Sequence, residues 1–90
     1  MRLLVGRIGR AHGILGEATI EVRTDDPDVR FAIGATVNTD KHGDLKIVSG
    51  RVHNGILLLG FQGITTRNQV EQLRNEMMYS EVDINASTGN

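Results

Sequence analysis

The stretch Gly6-Arg7-Ile8-Gly9-Arg10-Ala11-His12-Gly13-Ile14-Leu15-Gly16-Glu17 decides how this chain is read. Leu3-Leu4-Val5 leads into it, and the alternating run Ala18-Thr19-Ile20-Glu21-Val22-Arg23 leads out. Four glycines in eleven residues are too many for a regular strand interior, where glycine loses entropy on ordering and packs nothing. They suit a backbone that bends, bulges and lets a second backbone come close. Two arginines and a histidine lie among them, so tight geometry and a cationic cluster share one loop. Loops held by a rigid scaffold often carry binding. Arg7, Arg10 and His12 are therefore candidate contacts, joined by Arg23 at the end of the next strand. Gly9, Gly13 and Gly16 are the candidate loop-shaping residues.

Working outward, a first strand is predicted from Leu3 to about Ile8, with Arg10 to Gly16 as the connection. The second strand has Ala18, Ile20 and Val22 on one face and Glu17, Thr19, Glu21 and Arg23 on the other. This period of two predicts one buried and one wet face. Asp26 before Pro27 reads as an N-cap with proline at the first helical position, opening one short turn of helix. Phe31 is the expected plug from this segment into the core. A third strand is predicted over Ala35 to Thr39, with Val37 inward, and Lys41-His42-Gly43-Asp44 as a hairpin turn.

Leu45 to His53 reads as a longer strand, with Val48 and Val52 on one face and a bulge at Gly50. Asn54-Gly55 is the dipeptide of a type I′ hairpin. Ile56 to Phe61 returns, apolar on both faces as a covered central strand would be. Thr66-Arg67-Asn68-Gln69 fits a capping box. Val70, Leu73 and Met77 then share one face of a helix of roughly two turns. Met78-Tyr79 and Val82-Asp83-Ile84 form a last strand, and residues 85–90 a frayed tail. Six or so short strands, tight turns and one short helix near the C-terminus predict a small closed or nearly closed β-barrel. One domain over residues 1–84 follows.

Composition narrows the chemistry. The 90 residues carry a net charge of −1, so no overall field draws nucleic acid, and any RNA contact must use a local patch. Three aromatic residues (Phe31, Phe61, Tyr79) argue against a base-stacking platform. The absence of cysteine excludes disulfides and thiolate metal sites and fits a cytoplasmic location. Arg2 is followed by only three apolar residues before Gly6, which is no signal peptide, and no apolar run spans a bilayer. The glycine stretch matches neither G-x-G-x-x-G nor a P-loop, and its flanking strands do not suit the helix-joining clamp of KH domains. His12, His42 and His53 lack metal-ligand spacing. Asp25, Asp26 and Asp28 lack the glycine and later glutamate of a calcium loop. No nucleophile, base and orienting group can be assembled. The sequence thus predicts no catalytic, cofactor or metal residues. Arg7, Arg10 and Arg23 either form a phosphate-binding face or pair with Glu17 and Glu21 on a solvated one.

These residues resemble a known family. Val5 to Glu17 is similar to the opening motif of the RimM family of ribosome maturation factors. Arg23-Thr24-Asp25-Asp26-Pro27 with Arg30-Phe31 resembles that family's next loop, and Gly63, Arg67 and Leu73-Arg74 its helix. The resemblance covers about residues 3–84. The helix is the looser match: Thr65-Thr66-Arg67-Asn68-Gln69-Val70 stands where the family has an acidic, alanine-rich version. The resemblance implies a six-stranded antiparallel barrel of the reductase, isomerase and elongation-factor type. It also implies a cytoplasmic, non-enzymatic, monomeric assembly module that binds free small ribosomal subunits and aids 16S rRNA processing in the subunit head. The family carries a second, PRC-type barrel. Binding to small-subunit ribosomal protein nineteen is expected mainly there, so the chain reads as a separate or shortened N-terminal domain. Two rival readings are a small flavin- or nucleotide-binding barrel and a purely structural barrel that holds a partner domain.

Overall fold

In the computed structural model, which describes residues 1–81, six strands close into a single antiparallel ring. In chain order the elements are β1 (Arg2–His12), β2 (Glu17–Val22), α1 (Pro27–Arg30), β3 (Thr36–Thr39), β4 (Asp44–His53), β5 (Ile56–Phe61), α2 (Arg67–Gln72) and β6 (Met77–Glu81). Around the ring the order is β1-β2-β5-β4-β3-β6, so β6 seals the barrel by pairing with both β1 and β3. The expected last strand over Val82-Asp83-Ile84 and the tail over residues 85–90 lie outside the described residues.

Alternation decides what enters the barrel. Val5 and Ile8 of β1, Ala18 and Ile20 of β2, Val37 of β3, Leu45 and Ile47 of β4, Leu59 and Phe61 of β5 and Met78 of β6 form one buried cluster. Phe31 joins it from the end of α1, as the sequence predicts. Val70 and Leu73 join it from α2. Phe31 approaches Gly6, whereas α2 reaches the β1 backbone farther along, at Ala11 through Glu71. Leu58 is also buried although it points away from this cluster, so β5 is covered on both faces.

The sequence-based boundaries change in four places. β1 continues to His12, because its backbone absorbs Gly6 and Gly9 at two bulges instead of stopping; the register shifts between Leu4 and Gly6 against β6, and between Ile8 and Ala11 against β2. The turn is correspondingly short, Gly13 to Gly16. In β4 the bulge lies between Ile47 and Ser49, not at Gly50. That extra residue reverses the alternation, so Val48 and Val52 do not share a face: Val48 lies beside Gly60 on the outside, and Val52 lines an inner groove with Leu57. Met77 belongs to β6, because α2 ends at Gln72 and the chain turns through Asn75 in the left-handed region (φ 70°), and Met78 is the fully buried methionine. Asp26 takes the N-cap position of α1, but its side chain makes no cap bond; its Oδ1 accepts the Thr24 hydroxyl at 2.7 Å.

Both local signals in the second half hold. Asn54 and Gly55 have φ of 51° and 79°, the two positive values that a type I′ turn needs, between the paired ends His53 and Ile56. The Thr66 side chain accepts the Gln69 N–H, and the Gln69 side chain accepts the Thr66 N–H, completing the capping box. α2 is only six residues long and is too short to be stable alone, so this cap and the burial of Val70 and Leu73 hold it. Thr66→Ala is expected to lower stability by about 1 kcal/mol. Urea unfolding would measure it, and an unchanged midpoint would show that packing alone fixes the helix.

Candidate functional site

The β1 bulge arises from three residues acting together. Residues 9 and 10 lie between the paired positions Ile8↔Ile20 and Ala11↔Ala18, so both face Thr19 alone. The Thr19 hydroxyl donates to the Arg10 carbonyl at 2.9 Å. A Cβ on Gly9 would stand 2.7 Å from that same hydroxyl oxygen, so only glycine admits the bond. The Ala11 N–H donates to Glu71 of α2 at 2.9 Å. Ile8 exchanges backbone bonds with the segment after α2: its N–H donates to the Glu76 carbonyl at 2.9 Å, and its carbonyl accepts the Asn75 N–H at 2.7 Å. Backbone on both sides of Arg10 is thereby fixed, and the Arg10 side chain extends into solvent.

Gly13 and Gly16, both at positive φ (69° and 83°), frame the turn. Between them Ile14 and Leu15 are each 77% exposed. Gly13 faces open space, whereas a Cβ on Gly16 would meet the Ile64 carbonyl oxygen at 2.7 Å and the Thr65 backbone at 2.8 Å. Gly16 therefore anchors the turn against the β5–α2 connection.

The four sequence-predicted contact residues divide by charge pairing. Arg7 donates to Glu21 at 2.7 Å, and Arg23 also binds Glu21. One carboxylate therefore holds two of the predicted arginines, and Arg23, then Arg7, keep it below the usual glutamate range. Glu17 pairs with neither. It is held by Arg51 of β4 through two bonds of 2.9 and 2.8 Å, which lower its pKa below 4.5. Arg10 has no ion pair among the described residues. It borders a shallow groove with Arg7, Thr19, Glu21, Arg74 and Asn75, where arginines outnumber carboxylates.

His12 is brought beside His53, the last residue of β4, with ring centroids 5.3 Å apart and planes at 53°. Sequence reading placed His53 beside a turn and missed this, because forty residues separate the two. The third histidine has a structural partner: His42 Nδ1 lies 2.8 Å from Oε2 of buried Glu76, whose Oε1 accepts the Asp40 and Lys41 N–H groups at 3.0 and 3.2 Å. That network clips the β3–β4 turn to the start of β6.

A larger, mostly apolar groove of about 630 Å³ opens at the Phe31 end, lined by Ile20, Val22, Ile33, Val52 and Leu57 among others. Its arginine, Arg51, is the one engaged by Glu17. Among the described residues no three His, Cys, Asp or Glu side chains are grouped to hold a metal ion. No helix among them is long and apolar enough to cross a membrane.

Fold and site together define a small antiparallel β-barrel domain whose polar groups are displayed on an outer strand face beside a glycine-framed turn. The chain belongs to the RimM N-terminal domain family, whose family model matches residues 3–84. It is 55% identical over 85 residues to the ribosome maturation factor RimM of Streptomyces avermitilis, an alignment covering 92% of this chain and 46% of that protein. It is 52% identical to the ribosome maturation factor RimM of Kineococcus radiotolerans, over 92% of this chain and 48% of that one. The chain thus spans about half the length of these relatives. The solution structure of the N-terminal domain of RimM from Thermus thermophilus superposes with a TM-score of 0.76 at 23% identity, covering 90% of this chain and 89% of the other. The expected fold, a six-stranded antiparallel barrel, is the one observed.

Two outcomes test this geometry. Gly16→Ala is expected to destabilise the domain more than Gly13→Ala: both residues sit at positive φ, at a cost of about 1–2 kcal/mol for alanine, but only Gly16 adds a backbone clash. Paired urea titrations read the difference, and equal losses would show that Gly16 is not an anchor. The Glu17–Arg51 pair should give a pH signature. Because the folded carboxyl has the lower pKa, its contribution is full above the ordinary value of 4.5 and is lost as pH falls through the depressed one. The stability gap between wild type and Arg51→Ala, small for so exposed a pair, should therefore narrow between pH 7 and pH 3.

Proposed function

We propose that this domain is the N-terminal binding module of a cytoplasmic ribosome assembly factor, acting on free small ribosomal subunits without catalysing a reaction. It would assist maturation of the subunit head and 16S rRNA processing by contacting rRNA and ribosomal protein. A second, PRC-type barrel would supply most of the contact with small-subunit ribosomal protein nineteen. Residues 1–84 would be the folding unit, working as a monomer without a cofactor. The family and the ribosome maturation factors among its relatives support the ribosomal context.

One observation carries the reading to specific residues: Arg10 is exposed and unpaired, yet its backbone is fixed by the Thr19 and Glu71 bonds. The planar arginine fork fits a phosphate with two parallel bonds, and the fixed backbone places the point from which the Arg10 side chain reaches out. Arg7 and Arg23 would contribute more weakly, since a phosphate must compete with Glu21 for them. Gly9, Gly13 and Gly16 would act by shape alone.

Co-sedimentation of the purified chain with free small subunits tests this. Arg10→Ala is expected to melt like wild type, within about 0.5 kcal/mol, and to bind more weakly at low salt. The difference should shrink as salt rises, because a lost phosphate contact removes one counterion-release contribution. Equal binding by wild type and variant at low salt would remove Arg10 from the contact.

A further inference from the structure

We propose that His12 and His53 together form a second phosphate contact for RNA on the outer face of the barrel, with His53 the residue that completes it. The inference rests on the small-subunit reading above and adds a strand, β4, to the contact surface.

The placement comes from the fold. His12 ends β1 and His53 ends β4, and these are the outer two of four neighbouring strands in the ring. Both point outward, because the residues before them, Ala11 and Val52, face inward. Twist and coiling of the sheet bring the two strand ends together until the rings are 5.3 Å apart. Neither ring makes a hydrogen bond among the described residues, in contrast to His42, which is engaged by Glu76. Up to four ring nitrogens are therefore unspent at one point of the surface.

The surrounding charges favour an anion there. Glu17 of β2 is the nearby carboxylate, and both of its oxygens already accept from Arg51 of β4. From α2, Glu71 is occupied by the Ala11 N–H and faces Arg74 at 3.8 Å. On β1, Arg10 is two residues away and unpaired. On the outer side of β5, which runs between, half-exposed Ile56 and buried Leu58 and Gly60 bring no titratable group. Two adjacent imidazoles repel when both are protonated, and a phosphate between them removes that penalty while accepting from both. A metal ion is the poorer fit, since no third protein ligand is grouped with the pair.

The test uses the whole chain and two probes: purified free small subunits, and 16S rRNA stripped of protein. Histidine changes charge between roughly pH 5 and 8, so affinities are measured at pH 6 and pH 8 for wild type, His53→Ala and His53→Lys. His53 is exposed, and thermal melts confirm that each variant is folded. Wild type should bind both probes more tightly at pH 6. His53→Ala should lose about fivefold at pH 6 and little at pH 8, as expected for one charge-assisted bond at a hydrated surface. His53→Lys should show a smaller difference between the two values than wild type, because only His12 of the pair remains a histidine. If His53→Ala matches wild type at both pH values, the histidine pair is not a contact, while the Arg10-based reading stands. If the pH response appears with subunits but not with bare rRNA, the partner is ribosomal protein and the RNA assignment fails. Failure of wild type to bind subunits at either pH overturns the small-subunit reading itself, and this inference with it.

Discussion

Ring closure is the constraint on which the rest of this domain depends. β1 pairs with β2 along one edge and with β6 along the other, and it must bend to do both. A regular strand cannot turn that far over eleven residues, so β1 carries one bulge against each partner. The bulge facing β2 leaves the Arg10 carbonyl and the Ala11 N–H outside the ladder. Here a threonine hydroxyl and a glutamate carboxylate take the place of the missing ladder bonds. Closure therefore accounts for the glycines, and the glycines account for how Arg10 is held.

What could be read in the sequence follows from how local each signal is. The β2 alternation, the Asn54-Gly55 turn, the capping box and the Phe31 plug each depend on neighbours within a few residues, and each appears as read, except that Val22 at the end of β2 is exposed beside the groove instead of buried with Ala18 and Ile20. The end of β1 was misread because glycine density signals irregularity without distinguishing a bulge from a loop. Placing the β4 bulge at Gly50 failed for a related reason. The required glycine is on the partner strand: Gly60 leaves room for Ser49 where any Cβ would overlap the Ser49 hydroxyl. A glycine can mark an irregularity in the strand opposite its own.

The site was legible by residue type and opaque by pairing. Composition and spacing singled out Arg7, Arg10, His12 and Arg23. Which ones keep a free charge depends on cross-strand register, which sequence does not print. Glu21 lies directly opposite Arg7 and two residues before Arg23, so it takes both. Glu17 lies opposite His12 but reaches across β5 to Arg51, because Gly60 and Leu58 offer it no competing partner. His53 gave no local signal at all.

The same register explains why a chain of net charge −1 can present a cationic face. The outward positions of β2 are Glu17, Thr19 and Glu21, two carboxylates with a threonine between them. Thr19 breaks the acidic row opposite the bulge, and its hydroxyl is spent on the Arg10 carbonyl instead of on the Arg10 side chain. A glutamate at 19 would place a third carboxylate within reach of Arg10 and would lose the bond that shapes the bulge. One residue choice thus serves both geometry and charge: the hydroxyl stabilises the bend that closes the ring, and the missing negative charge leaves Arg10 available. Stability and surface chemistry are coupled through Thr19, although Thr19 itself carries no charge.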